Sequence, residues 1–359
     1  MLRSPQKNFF APDTEAEWRL IMKKILLSLF ALYAASSLWA YDFQSGLLYY
    51  NTLAGDSTVE VTYQTTASNN YSDLTAVTIP ETVTYKDKIY TVVAIGSKAF
   101  VAYPSTGTLP YSDLRNTTLK LINIPKTVKT IDKYAFYWCS ALTTVNFLGD
   151  GLENIGDYAF YQTMGLLSFD FPKTLKTIGA HAFSHKENSG SMYGLSGALI
   201  IPNTVTTIGS YAFYRVAGIS SVTISNCVST INNSVFASCS GLTSVTLGNS
   251  VATIGESAFQ YCTNLTSITL PKSVETIENY AFAGCSKLTT VYLKPAMPPA
   301  FTNTNILPST AKTFYVPCGA SETYFLSDWV TFTTNFQEEC DKKYTIYVNQ
   351  NCTSSVVEE

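Results

Sequence analysis

The chain has 359 residues, of which 46% are hydrophobic and only 14% are charged, and its formal net charge is −3. This balance, without a local cluster of Lys and Arg, excludes the electrostatic attraction on which nucleic-acid binding depends. The chain is long enough to bury an extended core, and it is unusually rich in tyrosine, with 24 copies.

Residues 22–40 have the pattern of an export signal. A basic segment that begins at Met22 precedes a short apolar run, Ile25–Ala35. The run is too short for a bilayer, which needs about 20 residues, so we expect cleavage after Ala40 and no membrane span in the mature chain. We interpret residues 1–21 as an extension upstream of the true start codon. The alternative is a cytoplasmic extension ahead of an uncleaved anchor.

A box with the pattern Ile-x-x-x-(Ala/Val)-Phe occurs eight times in the middle of the chain. Successive copies are 23 or 24 residues apart, except for one gap of 36 and one of 30. A fixed period of this length is typical of a solenoid, in which each repeat buries its apolar face against the next. The box phenylalanines are Phe100, Phe136, Phe160, Phe183, Phe213, Phe236, Phe259 and Phe282.

Each repeat also contains a short strand before its box. Leu242–Leu247 and Leu265–Leu270 both show the alternation L-x-x-V-x-L that is typical of a half-buried strand. Pro271 closes the second of these strands, since proline has no N–H to give to a ladder. The chain then returns to the core through Val274 and Ile277.

The combined pattern A-F-x-x-C-x-x-L-x-x-V-x-L-P-x-S-V-x-x-I-G resembles the BspA-type leucine-rich repeat, which is common in surface proteins of Bacteroidetes and of some mucosal protists. The resemblance covers about residues 41–336. It implies a leucine-rich repeat solenoid, β-rich with short strands and little helix, of about eight repeats of ~23 residues with N- and C-terminal caps. It also implies adhesion, by binding to host matrix proteins such as fibronectin and fibrinogen or by contacts between cells.

These patterns divide the chain into six expected segments. They are the upstream extension 1–21, the signal peptide 22–40, an N-terminal capping β segment 41–90, the repeats 91–295, a C-terminal repeat cap 296–340, and the start of a further module or a tail at 341–359.

The eight cysteines divide by their place in the repeat. Four of them lie three residues after a box Phe, a position that stacks from repeat to repeat, and we expect structural thiols there. Cys318 and Cys340 lie outside the repeats and are the better candidates for a disulfide. No Cys or His grouping has metal-ligand spacing, so we expect neither a metal nor a cofactor. The four repeat cysteines are Cys139, Cys239, Cys262 and Cys285.

Aromatic side chains recur at two positions of the box and should line up along a solenoid. They are dense in the first half of the array and thin in the second, where Tyr280 remains but Ser234, Ser257, Ala237 and Ala283 occupy the same places. Tyr and Trp are enriched at interfaces, but rings that only fill space between repeats would give the same pattern, and both interpretations stay open. The candidate binding residues are Tyr134, Tyr137, Trp138, Tyr158, Tyr161, His181, Tyr211 and Tyr214.

Two further surfaces follow from the repeat pattern. The long gaps place insertions at 101–116 and 184–197, on the side of the aromatic-rich copies, and insertions at one repeat position often emerge on the binding side. The outward positions of the strands form a Ser/Thr-rich face, which we interpret as solvated rather than as a binding face. These outward residues are Thr143, Asn146, Ser244, Thr246, Ser267, Thr269, Thr290 and Tyr292.

No catalytic motif is present, and a repeat sheet offers no evident cleft for two facing carboxylates, so we expect no enzyme activity. Two hypotheses of function remain for an exported protein at the cell surface or outside the cell. The first is an adhesin or scaffold that binds a host matrix or cell-surface protein, or another microbe's surface. The second is a glycan-binding module of a nutrient-capture system.

Overall fold

The computed structural model describes residues 41–55, 57–64, 71, 73–101, 115–186, 194–340, 344–348 and 354–358. The upstream extension, the export signal, most of the first insertion and half of the second therefore lie outside the described residues.

The described chain consists of short strands and very little helix. In chain order the strands are β1 (Phe43–Ser45), β2 (Leu48–Thr52), β3 (Thr58–Thr62), β4 (Ala76–Thr78), β5 (Thr82–Tyr85), β6 (Lys88–Ile95), β7 (Leu121–Pro125), β8 (Thr130–Ile131), β9 (Thr144–Leu148), β10 (Asn154–Ile155), β11 (Thr177–Ile178), β12 (Gly197–Ile200), β13 (Thr207–Ile208), β14 (Ile219–Thr223), β15 (Thr230–Ile231), β16 (Ser244–Thr246), β17 (Thr253–Ile254), β18 (Ser267–Leu270), β19 (Thr276–Ile277), β20 (Thr290–Leu293), β21 (Ala300–Phe301), β22 (Thr313–Pro317), β23 (Phe336–Glu339), β24 (Tyr344–Val348) and β25 (Ser354–Glu358). The helices are α1 (Ser321–Phe325) and 3-10 turns at Thr304–Ile306 and Asp328–Thr331.

The predicted leucine-rich repeat solenoid is confirmed: the strands form parallel ladders that run from repeat to repeat. One set of ladders, which we call the strand face, contains β4-β7-β9, β12-β14-β16 and β18-β20-β22-β23. A second set pairs the two-residue strands just before each box, for example Ile131 with Ile155 and Ile155 with Ile178. Equal repeat positions therefore lie side by side along the solenoid.

The box phenylalanines form the centre of the core. All eight are 0–2% exposed, and neighbouring rings stack with centroids 5.0–5.5 Å apart and planes within 11°. Each Phe N–H donates to a backbone carbonyl of the next repeat at 2.8–2.9 Å. Burial of one such side chain contributes about 1.5–3 kcal/mol, so the stack is a large part of the stability.

The four repeat cysteines are free thiols buried beside this stack. Their Sγ–H groups donate to phenylalanine carbonyls of a preceding repeat, as Cys262 does to Phe236 O at 3.2 Å and Cys285 to Phe259 O at 3.1 Å. Burial raises the pKa of Cys239 to about 12, which suppresses the thiolate form. These thiols are therefore small apolar packing groups rather than reactive sites.

Both ends of the solenoid are capped. At the N-terminal end β1, β2 and β3 pair antiparallel, and β3 then pairs parallel with β6. At the C-terminal end Trp329 Nε1 donates to Pro299 O at 2.8 Å, and Tyr324 Oη donates to Pro295 O at 2.9 Å. Cys318 and Cys340 form a disulfide in this cap. The longest described helix, α1, has five residues, far fewer than a bilayer crossing needs.

Candidate binding surface

The residue two before the box Phe has a left-handed backbone in all eight repeats, with φ between 55° and 61°. This region is uncommon for residues other than Gly, so the turn is held by its surroundings. In the second of these turns, Tyr134 N–H donates to Asp157 O of the next repeat at 2.9 Å. The same turn therefore forms with Lys, Tyr, His or Ser at this position. The eight residues are Lys98, Tyr134, Tyr158, His181, Tyr211, Ser234, Ser257 and Tyr280.

Four of these side chains form a continuous stack, which we call the outer aromatic row: Tyr134, Tyr158, His181 and Tyr211. Ring centroids are 5.1, 4.5 and 4.6 Å apart in that order, and all planes lie within 11° of parallel. Because each ring covers its neighbour's face, solvent reaches mainly ring edges and hydroxyl ends. Tyr211 is the exception, because its second face has only Ser234 beside it in the next repeat, and 37% of its surface is exposed.

A second row lies beside the first, at the position just after the box Phe. Tyr137 and Tyr161 stack at 5.1 Å, whereas the buried Ser184 separates Tyr161 from Tyr214 along this position. The two rows meet edge to face in three repeats, with centroids 5.4–5.6 Å apart. We call Tyr137, Tyr161 and Tyr214 the inner aromatic row. The structure therefore brings seven of the eight candidate residues into two adjoining rows of rings.

The eighth candidate, Trp138, is buried rather than part of the exposed surface. Only 7% of it is exposed, and the guanidinium of Arg115 lies 4.6 Å from its ring centroid. It still touches the rows, since its ring centroid is 6.4 Å from that of Tyr137. Its Nε1 has no hydrogen-bond partner among the described residues. Trp138 therefore supports the rows from beneath.

His185 is also buried, although its place at the start of an insertion suggested a loop residue. It occupies the position two after Phe183, and its N–H donates to Tyr214 O at 3.0 Å, as Trp138 N–H does to Tyr161 O at 2.8 Å. Burial, with a smaller contribution from the Arg215 guanidinium, lowers the pKa of His185 to about 4. The repeat frame could have revealed this position, because the box backbone continues two residues past the Phe.

Burial shifts the pKa values of three groups in the rows, in each case in favour of the uncharged form. It lowers the pKa of His181, against the opposing effect of Asp157. It raises the pKa values of Tyr158 and Tyr161, and neighbouring phenols add to the shift. The Gln162 amide lies near the Tyr161 phenol and partly offsets its shift, but the two do not meet hydrogen-bond geometry. Burial therefore favours the uncharged forms of His181, Tyr158 and Tyr161 in the rows.

No described group of three or more His, Cys, Asp or Glu side chains forms a metal site apart from Cys318, Glu338 and Cys340. Two of these three ligands are joined in the disulfide, so their sulfurs are not thiolates.

The strand face shows the expected outward Ser, Thr and Asn side chains, and part of it is ordered by a hydrogen-bonded ladder. Asn146 Nδ2 donates to Asn123 Oδ1, and Asn123 Nδ2 donates to Thr78 Oγ1, both at 2.9 Å. A groove of about 760 Å³ opens on this face in the second half of the array, with Thr246 and Thr269 in its lining.

Comparisons with known proteins identify the family to which this solenoid belongs. The family profile described as the BspA type leucine-rich repeat region matches residues 107–196 and 195–306 in six copies, more than half of the chain. The chain belongs to the BspA-type leucine-rich repeat family.

Solved structures with a similar fold come from several bacteria. A T. pallidum leucine-rich repeat protein is 23% identical, with 69% of this chain and 90% of that chain covered and a TM-score of 0.48. A leucine-rich cell surface protein from Faecalibacterium prausnitzii is 20% identical, with coverage of 83% and 95% and a TM-score of 0.33. The pneumococcal vaccine antigen PcpA is 19% identical, with coverage of 83% and 98% and a TM-score of 0.35. A comparison with curated proteins finds no match.

Proposed function

We propose that this chain is an exported surface repeat protein that binds a protein partner through the outer and inner aromatic rows, and so acts as an adhesin. The observation that carries the proposal is the two-row array of stacked rings between Tyr134 and Tyr214. Membership of the BspA-type family and the export pattern at residues 22–40 agree with a surface location. A solenoid of this kind is typically a binding scaffold rather than an enzyme.

The physics of the rows suits a protein interface. Stacking has already restricted the rings, so little side-chain entropy is lost when a partner binds. Large amphipathic side chains of this type carry most of the energy in protein interfaces. The outer row is about 14 Å long from Tyr134 to Tyr211, which is the size of the energetic centre of an interface rather than of a whole one. The neighbouring polar surface would form its rim.

Glycan binding remains a second candidate, and one observation favours it. A sugar ring packs against an open aromatic face, and Tyr211 offers such a face beside Ser234. In the rest of the outer row, neighbouring rings cover each other's faces. A partner that meets ring edges and hydroxyl groups therefore fits more of the surface than a stacked sugar does.

The test is binding of the purified chain to immobilised fibronectin and fibrinogen, and to a glycan array. Two triple variants at Tyr134, Tyr158 and Tyr211 separate hydroxyl groups from rings: substitution by Phe keeps the stack, and substitution by Ala removes it. The control is Tyr292→Phe/Tyr315→Phe, a stacked pair on the strand face with centroids 4.9 Å apart.

Saturable binding to a matrix protein that the Phe triple weakens, the Ala triple abolishes and the control retains is the expected result. Binding to glycans alone, lost in the same variants, would replace the adhesin proposal with glycan capture. Binding that survives the Ala triple would place the site elsewhere on the chain.

A further inference from the structure

The strand face is interrupted between β16 and β18, although both strands belong to regular neighbouring repeats. β16 ends the ladder β12-β14-β16, and β18 begins the ladder β18-β20-β22-β23. The same two repeats are otherwise tightly joined, since Thr253 pairs with Thr276 and Phe259 stacks on Phe282 at 5.3 Å. The opening is therefore local to one side of the repeats.

Hydrogen bonds that join other neighbouring repeats are missing at this opening. Ile224 N–H donates to Thr246 O at 2.8 Å, but Leu247, its counterpart one repeat later, makes no such bond to Thr269. Lys294 N–H donates to Leu270 O at 3.0 Å, but Pro271, its counterpart one repeat earlier, has no N–H to give. The ends of β16 and β18 are consequently left without a ladder between them.

On its other side β16 packs tightly on the preceding repeat, since a Cβ at Gly248 would lie 2.1 Å from Ser225 O. Residues of β16, of β18 and of the turns that follow them line the groove of about 760 Å³, a volume within the range of small-ligand sites.

The groove is lined by hydrogen-bond donors and positive charge around an apolar base. Leu247 and Pro271 supply the apolar surface, and Thr246, Thr269 and Asn249 supply polar groups. Both charged lining residues are lysines: Lys294 pairs with Glu339, whereas Lys272 has no ion-pair partner among the described residues. No carboxylate lines the groove, in a chain whose net charge is negative.

We propose that this groove binds an acidic saccharide, with the carboxylate or sulfate of the sugar at Lys272 and its ring against Leu247 and Pro271. The unpaired Leu247 N–H and the threonine hydroxyls are donors that an anionic oxygen accepts most strongly. The site is separate from the aromatic rows and does not depend on the proposed adhesin function.

An extended peptide does not fit between the strands. Insertion of a strand requires β16 and β18 to separate by two strand spacings, about 9.6 Å. The Thr253–Thr276 pairing and the Phe259–Phe282 stack keep the same repeats at one spacing. A compact ring with an acidic group does not require this separation.

The experiment measures binding of four hexameric probes to the full chain by calorimetry. They are a hyaluronan hexasaccharide with carboxylates only, a chondroitin sulfate hexasaccharide, neutral maltohexaose and hexaglutamate. Lys272→Glu is the test variant. Lys173→Glu is the matched control, because Lys173 also follows the proline that ends a repeat's strand segment, Pro172, and is exposed. Thr269→Val provides a second test without a change of charge.

We expect one or both acidic saccharides to bind saturably in the calorimeter. In an NMR titration with the same saccharides, the Leu247 amide resonance should shift. Lys272→Glu should weaken binding by about tenfold or more, because a charge-assisted contact is lost and a repulsive one is gained, and Lys173→Glu should leave it unchanged. The relative affinity of the two acidic saccharides shows whether carboxylate or sulfate is the preferred group. The proposal is overturned if neither binds, if both Lys variants weaken binding equally, or if maltohexaose or hexaglutamate binds as tightly.

Discussion

The repeats around Tyr134 to Tyr214 and those after Phe236 have the same backbone and core but different surfaces. Both have the left-handed turn two residues before the box Phe, and both stack their phenylalanines at 5.0–5.5 Å. At that turn the first group has rings in four consecutive repeats, whereas the second has Ser234 and Ser257 before a single ring, Tyr280. Since the fold forms with either side chain, the rings are not needed to build the solenoid. This separation of core from surface is the physical basis for assigning the rows to binding.

The largest expected effect comes from the feature that both regions share. Phe236→Ala should lower the free energy of unfolding by about 3–5 kcal/mol, because it removes a ring from the middle of the core stack and leaves a cavity. Urea denaturation followed by circular dichroism measures the change. Tyr261→Ala is the control, since Tyr261 is 55% exposed. An equal loss of unfolding free energy in both variants would mean that a ring in the buried stack stabilises the fold no more than an exposed ring does.

The next effect is a pH dependence confined to the aromatic-rich region. The pKa of His185 is about 4 in the folded chain against an ordinary value of 6.5, so the unfolded chain takes up the proton first as pH falls. Stability from this group is fully present above pH 6.5 and is lost between 6.5 and about 4, by about 2–3 kcal/mol at pH 4.5. The difference in unfolding free energy between pH 7 and 4.5 should shrink by that amount in His185→Gln. Identical pH profiles for the two proteins would contradict the buried neutral histidine.

A smaller effect should separate the two regions at the turn position itself. His181→Ala breaks two stacked contacts, each worth about 0.5–1.5 kcal/mol, whereas Ser257→Ala at the equivalent position breaks none. We expect a loss of about 1–2 kcal/mol in the first variant and within about 0.5 kcal/mol in the second. Thermal unfolding of both variants measures the contrast, and equal losses would mean that stacking in the outer aromatic row contributes no stability.

The smallest effect would extend the first region into the second. Ser234→Tyr places a ring beside the open face of Tyr211, on a backbone that already accepts Tyr elsewhere in the array. We expect a gain of about 0.5–1 kcal/mol from the added stacking, with Ser234→Leu as a control that adds apolar surface without a ring. Destabilisation by Ser234→Tyr alone would show that the row ends at Tyr211 for steric reasons.

Sequence periodicity was sufficient for the solenoid, the phenylalanine core and the alignment of the aromatic positions, because equal positions must stack in a repeat structure. It was not sufficient for the burial of Trp138, which lies under the Arg115 guanidinium at the end of the first insertion, or of His185, at the start of the second insertion. It also did not predict the groove between β16 and β18. At that opening Leu247 makes no bond to Thr269 and residue 271 is a proline, and the first of these is visible only in the coordinates.

Hydroxyl-radical footprinting of the chain, with and without saturating fibronectin or fibrinogen, tests the assignment of the aromatic rows to binding. The method reports solvent access to individual Tyr and His side chains, so it probes the rows themselves. We expect protection at Tyr134, Tyr158, His181 and Tyr211, with Tyr261 and Tyr280 unchanged. Protection confined to the strand face, or no protection at all, would contradict the assignment of the aromatic rows as the binding surface.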